Sequence, residues 1–420
     1  MVVELISVGT ELLLGNIVNT NAAFLAEECA KLGLECFYQT VVGDNEKRLT
    51  ETIKTAMKRA DIIILGGGLG PTQDDLTKET AAKVCRKKLV MDEEAKRCIR
   101  EYFESKKISI PDNNWKQAMV PEDSIVLYNP NGTAPGIIIE NEEKKLILLP
   151  GPPNELVPMF RDQVVPYIKK LLPGVILSKT VKVCGIGESA VEQFIEDIIN
   201  EQNNPTIATY AKTGEVHLRV TAGAENEKAA EKLIKPVVKE LKNRFGAAIY
   251  STDENVTLEM AVVDLLKAGE LTISTAESCT GGLLAGRIIN VSGVSDCYKS
   301  GFITYSNKAK RKLIGVKKYT LDKYGAVSKQ TAEEMVLGVH GVNDADVVLA
   351  TTGIAGPDGG TEEKPVGLVY ISCYVCGKVT TSEFRFHGNR AKVRESAVAA
   401  ALNLARTCLM EYLAETKIMR

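Results

Sequence analysis

The sequence predicts a multidomain α/β protein, and three observations carry that prediction. Apolar runs rich in β-branched residues, such as Val2–Val8 and Ile62–Leu65, alternate with segments of helical periodicity, the pattern of βαβ units and a mainly parallel sheet. At 420 residues the chain is long enough for two to three domains, each with its own core. Between residues 178 and 248 the order becomes strand, helix, strand, strand, helix, strand, which is the split βαβ arrangement.

Taken in order, Val2–Val8 is a near-continuous apolar strand that leads into a turn at Gly9-Thr10-Glu11. Asn19 or Thr20 can cap a helix carrying Phe24, Leu25 and Leu32, which Gly33 ends. Leu34–Val41 reads as a strand, residues 46–59 as a helix, and Ile62–Leu65 as a buried strand. That strand runs into Gly66-Gly-Gly-Leu-Gly-Pro-Thr-Gln-Asp-Asp75. The loop is neither a Gly-Lys-Ser/Thr phosphate loop nor a dinucleotide fingerprint, since Pro71 stands where the last glycine belongs. Glycines at the carboxyl end of a strand, just before a helix, still let an anionic ligand approach the backbone. Asp74 and Asp75 come next, where a hard cation on a phosphate could be held; Asp75 or Thr77 could equally be a plain helix cap. The turn-rich loops Asn129–Gly136 and Leu149–Glu155 either line a cleft or only connect strands.

Pro173-Gly174 marks a boundary and the polar stretch Gly246–Asn255 a joint, so the expected domains are 1–171, 172–252 and 253–420. The middle one carries strands 178–184, 206–211, 215–221 and one near Ala248, with helices 188–200 and 225–244. In the last, Leu258, Ala261, Val262, Leu265 and Leu266 recur on one helical face, which Gly269 ends. A short strand, Leu271–Ser274, then enters Thr275-Ala-Glu-Ser-Cys-Thr-Gly-Gly282 and a helix. A strand passing through two glycines into a helix leaves backbone N–H groups aimed at whatever sits there. On its own, Ser278-Cys-Thr-Gly-Gly282 could be a turn with a cap. Tyr298–Ser306 alternates like a half-buried strand, and Asn307 can cap the helix holding Lys308, Lys310, Arg311 and Lys312. Lys308 and Lys312 read as a solvated face. Val347–Ala350 ends in a glycine loop at Gly353–Gly360, and Asn389 opens a long helix with Arg390 and Arg394 four apart.

Composition narrows the classes. A net charge of −2 and 45% apolar residues describe an ordinary globular chain without a nucleic-acid footprint. No apolar run reaches the roughly 20 residues a bilayer span needs, and no signal peptide is evident. The ten cysteines are scattered; Cys373 and Cys376, three apart on a strand, face opposite sides and so make no shared metal or redox pair. The expectation is a cytoplasmic, reduced protein without membrane contact. With three histidines and none in a triad-like motif, a Ser-His-Asp site is not expected.

Several motifs carry a family resemblance that covers essentially the whole chain. Gly9-Thr-Glu-Leu12, Gly66–Asp75 and Leu149–Glu155 resemble the molybdopterin-binding-like domain that opens the CinA family of competence/damage-inducible proteins. Asp44, in Val42-Gly-Asp44, and Asp75 match the two acidic positions of that wider fold. The resemblance implies metal-dependent ADP-ribose pyrophosphatase activity. Its nucleotide site would use Glu11, Asp44, Gly66, Gly67, Gly68, Gly70 and Thr72, with a divalent metal such as Mg²⁺ on Asp74 and Asp75. The middle domain resembles the family's KH-like module, but Gly185-Ile-Gly187 is one residue short of a Gly-x-x-Gly loop and is followed by an acid, so nucleic-acid binding is not expected. Ala276–Gly282, Thr304–Lys310 and Gly353–Gly360 are similar to the CinA carboxyl-terminal domain, the nicotinamide mononucleotide deamidases. One departure is Gly293-Val294-Ser295, where relatives often have Gly-Ser-Ser.

The resemblance implies a bifunctional hydrolase of pyridine-nucleotide recycling: a nicotinamide-nucleotide amidase, with ADP-ribose diphosphatase as second activity. Its partners would be nicotinamide mononucleotide, ADP-ribose and a second copy of the chain; the deamidase site needs no cofactor. Amide hydrolysis calls for a nucleophile, a base and an oxyanion site. Lys310 is expected to deprotonate Ser295, with Tyr305 relaying or orienting, although either Ser278 or Ser295 could attack. Ser278, Glu277, Thr280 and the Gly281 and Gly282 amides would bind the substrate or oxyanion, and Arg394 with Gly353, Ala355 and Gly356 the phosphate. At an unperturbed pKa near 10.4 only about one lysine in a thousand is neutral at pH 7, so the site must depress it. Cys279 near a helix N-terminus offers a rival nucleophile. The competing class is a non-catalytic nucleotide-binding or competence-related scaffold, which has no need for Ser295, Tyr305 and Lys310 together.

Overall fold

The computed structural model describes residues 1–172 and 174–416; the boundary expected at Pro173 touches a residue outside that set. The chain folds into two compact units, Met1–Leu177 with Gly223–Glu231, and Ser178–Ala222 with Lys232–Arg420. The middle segment and the last therefore share one unit for most of their length.

The first unit is built on a six-stranded sheet. Its order is Glu35–Val42, Val2–Val8, Ile62–Gly66, Lys144–Leu149, Gly136–Asn141, Ile125–Leu127. The first four strands run parallel and the last two antiparallel. Strands buried on both faces read as unbroken apolar runs, which is why Ile62, Ile63, Ile64 and Leu65 are all fully buried. Helices cover both sides: Ile53 and Ala56 of the helix Glu46–Arg59 pack on one face, and Leu25 and Cys29 of Thr20–Lys31 on the other. Asn19 caps the latter by accepting from Ala22 N–H at 3.1 Å. The loops after Val8, Gly66 and Leu149 thus meet at the carboxyl edge of adjacent parallel strands, where α/β sheets bind ligands.

In the second unit a four-stranded sheet, ordered Thr206–Lys212, Glu215–Ala224, Val175–Cys184, Ile249–Ser251, carries the helices Glu188–Phe194, Glu196–Glu201 and Glu227–Phe245, the split βαβ order read from the sequence. The joint after Ser251 is clasped: Lys182 Nζ donates to the carbonyls of Glu254 and Val256, both at 2.7 Å. A buried ionic group binds this sheet to the helices Leu258–Ala268 and Leu283–Ile289. Arg287 donates to Glu215 and to Glu259, each at 2.8 Å, while Tyr250 donates to Glu215 at 2.5 Å and His217 lies 3.2 Å from it. Burial alone would raise the Glu215 carboxyl; hydrogen bonds from His217, Tyr250 and Arg287 outweigh it and bring it to about 2.

The last sheet is ordered Tyr298–Ile303, Ile273–Glu277, Val347–Gly353, Leu368–Val375, Lys378–Arg385, three parallel strands followed by two antiparallel. The 26-residue helix Arg390–Glu415 packs against it, burying Val393, Ala397, Leu402 and Leu409. Asn389 caps that helix at Lys392 N–H, 3.0 Å. Cys373 is buried in the strand Leu368–Val375, whereas Cys376, expected on the same strand, lies exposed in the turn after it at φ 43°. No helix among the described residues is long and apolar enough to cross a membrane.

Candidate active site

Ser278 follows the strand Ile273–Glu277 directly, and its own N–H is fixed to Thr351 O at 2.9 Å. The next strand to one side, Tyr298–Ile303, ends at Thr304 and turns into the helix Asn307–Ile314. Ser306, not Asn307, caps that helix, accepting from Ala309 N–H at 3.1 Å. The cap points Lys310 inward while Lys308, Arg311 and Lys312 face out. Parallel neighbours ending at the same edge thus bring Lys310 Nζ to 2.9 Å from Ser278 Oγ and 2.8 Å from Thr304 O. Lys310 is 1% exposed and has no carboxylate partner among the described residues. Burial depresses its ammonium to about 8, with only a small opposing pull from Cys279. About one Lys310 in ten is then neutral at pH 7, a hundredfold gain over a free lysine.

The rest of the turn is tied down. Glu277 accepts from the N–H groups of Gly282, Leu284 and Ala285 at 2.8–3.0 Å, capping the next helix; its carboxylate and the Gly282 amide are thereby spent, and neither is available to substrate. Thr280 pairs with Thr351 hydroxyl to hydroxyl at 2.7 Å. Gly281 is exposed at φ 59°, and among the described residues no acceptor meets its N–H. Arg394 donates to the carbonyls of Cys279 and Thr280 at 3.1 and 2.8 Å through Nε and Nη2, so it also braces the turn. The Cys279 thiol is pushed up to about 11 by burial, which removes it as a nucleophile near neutral pH.

Two expected members sit elsewhere. Ser295 is exposed, in the short turn Val294–Asp296 before the strand Tyr298–Ile303, whereas Lys310 follows that strand. Six strand residues at about 3.3 Å each separate the two by roughly 20 Å, so within one chain Lys310 does not serve Ser295. Tyr305 is 61% exposed, and its hydroxyl accepts from Arg390 Nη2 at 2.9 Å; no hydrogen bond joins it to Lys310 among the described residues. The glycine loop adjoins this rim: Gly353 closes its strand, Ala355 is buried, and the Gly356 carbonyl accepts from Arg390 Nη1 at 2.8 Å. Arg390 and Thr304 are thus part of the site although sequence reasoning gave them no role. Their only signal was position, four residues before Arg394 and one before Tyr305.

The first unit holds a second candidate site, a cavity of about 400 Å³ at the strand ends. Glu11, Asp44, Gly67, Gly68, Gly70, Asp74 and Asp75 all line it, and Gly66 lines a smaller recess beside it. A Cβ on Gly67 would stand 2.2 Å from Val8 O, so close passage of two backbones demands glycine there. Asp44 accepts from Thr10 N–H and Oγ1 at 2.9 and 2.8 Å, ordering the turn that presents Glu11. Thr72 lies between the aspartates: its hydroxyl is 2.5 Å from Asp74 Oδ1 and from Asp75 Oδ2, and its N–H donates to Asp75 at 2.9 Å. Asp75 therefore closes its own loop; the helix that follows starts at Thr77 without a side-chain cap. The Thr72 hydrogen bond holds the Asp74 carboxyl below its ordinary range. No described group of three or more His, Cys, Asp or Glu residues could hold a metal alone. Two carboxylates facing a cavity do fit a cation that arrives on phosphate oxygens, the usual mode of Mg²⁺.

Fold and sites define an α/β protein with a buried serine–lysine pair at one sheet edge and a glycine-lined, acidic cavity at another. Residues 4–170 match the family model "Probable molybdopterin binding domain", 178–251 the damage-inducible protein CinA KH domain, and 255–409 the CinA C-terminal domain. The chain is 53% identical to a competence-damage inducible protein of Clostridium novyi (strain NT) over 97% of its own length and 98% of that protein's. It is 52% identical to a CinA-like protein of Kosmotoga olearia over 98% and 99%. A solved structure, competence/damage inducible protein CihA from Agrobacterium tumefaciens, is 41% identical, covering 36% of this chain and 93% of that one, with a TM-score of 0.36. The chain belongs to the CinA family of competence/damage-inducible proteins.

Proposed function

We propose that the last domain hydrolyses the carboxamide of nicotinamide mononucleotide to nicotinate mononucleotide and ammonia, with Ser278 as nucleophile and Lys310 as base. The observation that carries this reading is the 2.9 Å contact between a buried lysine without a carboxylate partner and a serine hydroxyl at a strand end. Neutral Lys310 takes the Ser278 proton as Oγ bonds to the amide carbon, and the oxyanion meets the Gly281 N–H. The C–N bond then breaks, and Lys310 returns its proton to the departing nitrogen. Water hydrolyses the resulting ester along the same path reversed. Arg390, exposed between Tyr305 and the Gly356 loop, and Arg394 on the turn after Ser278 offer positive charge for the substrate phosphate. Ammonia release from nicotinamide mononucleotide by the full chain, set against Ser278→Ala, tests the reading; an unimpaired variant would remove it.

The acidic cavity of the first unit supports a second activity, cleavage of ADP-ribose to AMP and ribose 5-phosphate. A divalent cation held by Asp74 and Asp75 would neutralise the diphosphate there, and the glycine loop admits phosphate close to the backbone. AMP formation from ADP-ribose with added Mg²⁺ or Co²⁺ tests it.

A further inference from the structure

We propose that Glu155 is the proton acceptor for the water that cleaves the diphosphate in the cavity of the first unit. This rests on the ADP-ribose reading above. Glu155 lines that cavity together with Asp74 and Asp75. The aspartates belong to the loop after the strand Ile62–Gly66, and Glu155 to the first turn of the helix Pro153–Met159, which follows the neighbouring strand Lys144–Leu149. The cavity of about 400 Å³ is large enough to admit a phosphate together with an attacking water, and Glu155 forms part of its wall.

The carboxylate is held in one pose. Asn129 Nδ2 donates to Glu155 Oε2 at 2.7 Å and to Ala134 O at 3.0 Å, and Asn129 is itself buried. Gly132 closes over the group so tightly that a Cβ there would stand 2.3 Å from Oε2. Pro150, Pro152 and Ala134 make this side of the cavity apolar. The other oxygen, Oε1, meets no donor among the described residues and remains to accept a proton.

The two groups of carboxylates are chemically distinct. Asp74 is exposed and accepts from the Thr72 hydroxyl. Burial pushes the Glu155 carboxyl up, against smaller downward pulls from the Asn129 hydrogen bond and the Lys106 charge. Glu11, Asp44, Asp74 and Asp75, all acids, line the same cavity.

In the step itself, water oxygen bonds to one phosphorus and its proton passes to Glu155. The bridging P–O bond to the other phosphate breaks, and the electron pair leaves on that oxygen. AMP and ribose 5-phosphate depart, and Glu155 releases its proton to solvent.

The test is the pH–rate profile of AMP formation from ADP-ribose by the full chain with saturating Mg²⁺, for wild type, Glu155→Gln and Glu155→Asp, with melting temperatures measured alongside. We expect Glu155→Gln to lower kcat about 100-fold with KM within threefold, and to erase the acidic limb. Glu155→Asp should retain that limb at an intermediate rate. A Glu155→Gln enzyme at wild-type rate, or one slowed but keeping the limb, overturns the assignment and leaves the activity standing. Wild type that forms no AMP overturns both.

Discussion

Lys310 Nζ and Ser278 Oγ lie 2.9 Å apart although 32 residues separate them in the chain. Each follows one of two parallel strands that end together, so the contact is fixed by sheet register and not by a flexible loop. A group acting from such a position is sensitive to deletion and insensitive to changes at the far end of the same strand.

The first prediction follows from that geometry. Ser278→Ala and Lys310→Ala should each lower ammonia release from nicotinamide mononucleotide by about 10³-fold, and the double variant by little more, because the two act as one unit. Ser295→Ala should stay within twofold of wild type, as measured by kcat/KM.

The second concerns pH. Lys310 is a base only when neutral, and burial sets its ammonium near 8. The deamidation rate should therefore rise about tenfold per pH unit below 8 and level off above it. A profile flat from pH 6 to 9 would exclude Lys310 as the base.

The third concerns stability. Unfolded, the lysine titrates near 10.4, above its folded value, so the unfolded chain binds the extra proton and folding is penalised at every pH below about 8. A shift of this size costs about 3 kcal/mol. Lys310→Met removes that cost but forfeits two hydrogen bonds of about 1 kcal/mol each. Denaturant midpoints at pH 7 should show the inactive variant more stable by about 1 kcal/mol, with the advantage fading as pH rises towards 10.

The fourth separates the two activities. Chelation with EDTA should abolish AMP formation from ADP-ribose and leave ammonia release unchanged. Asp75→Asn should raise the Mg²⁺ concentration needed for half-maximal AMP formation by about tenfold.

The fifth concerns Glu215, whose carboxyl is lowered to about 2 in the folded chain against about 4.3 unfolded. The ion group is fully stabilising above pH 4.3 and loses that contribution as pH falls towards 2. Glu215→Gln should cost about 2–3 kcal/mol at pH 7 and flatten acid unfolding in that window, as read by circular dichroism.

Much of this was legible in the sequence. Unbroken apolar runs marked the buried strands, and glycines after Ile62–Leu65 and Ala276–Thr280 marked the two candidate sites. The middle module's order emerged from its periodicity alone. What the sequence concealed was commitment. Glu277 looks like a free charge in a motif, yet helix amides occupy it, and Arg394 spends two of its donors on turn carbonyls, because a turn built from Ser278, Cys279 and Thr280 has orphaned backbone groups to satisfy. The preference for Ser295 overlooked one available clue. A six-residue strand lies between it and Tyr305, so the two face opposite edges of the sheet. Glu155 was visible as the end of a turn-rich loop, but only its burial against Asn129 sets it apart from any other helix-start acid.

The clasp of Lys182 over Glu254 and Val256, with Arg287 reaching back to Glu215, bears on how the protein can be dissected. A recombinant piece beginning at residue 253 would carry away Arg287 and Glu259 but leave Glu215, Tyr250 and Lys182 behind. Its raw face would lie on the helix Leu283–Ile289, whose first turn adjoins Ser278. Sluggish turnover by such a piece would report the amputation, and the intact chain is the fair specimen on which to judge the chemistry.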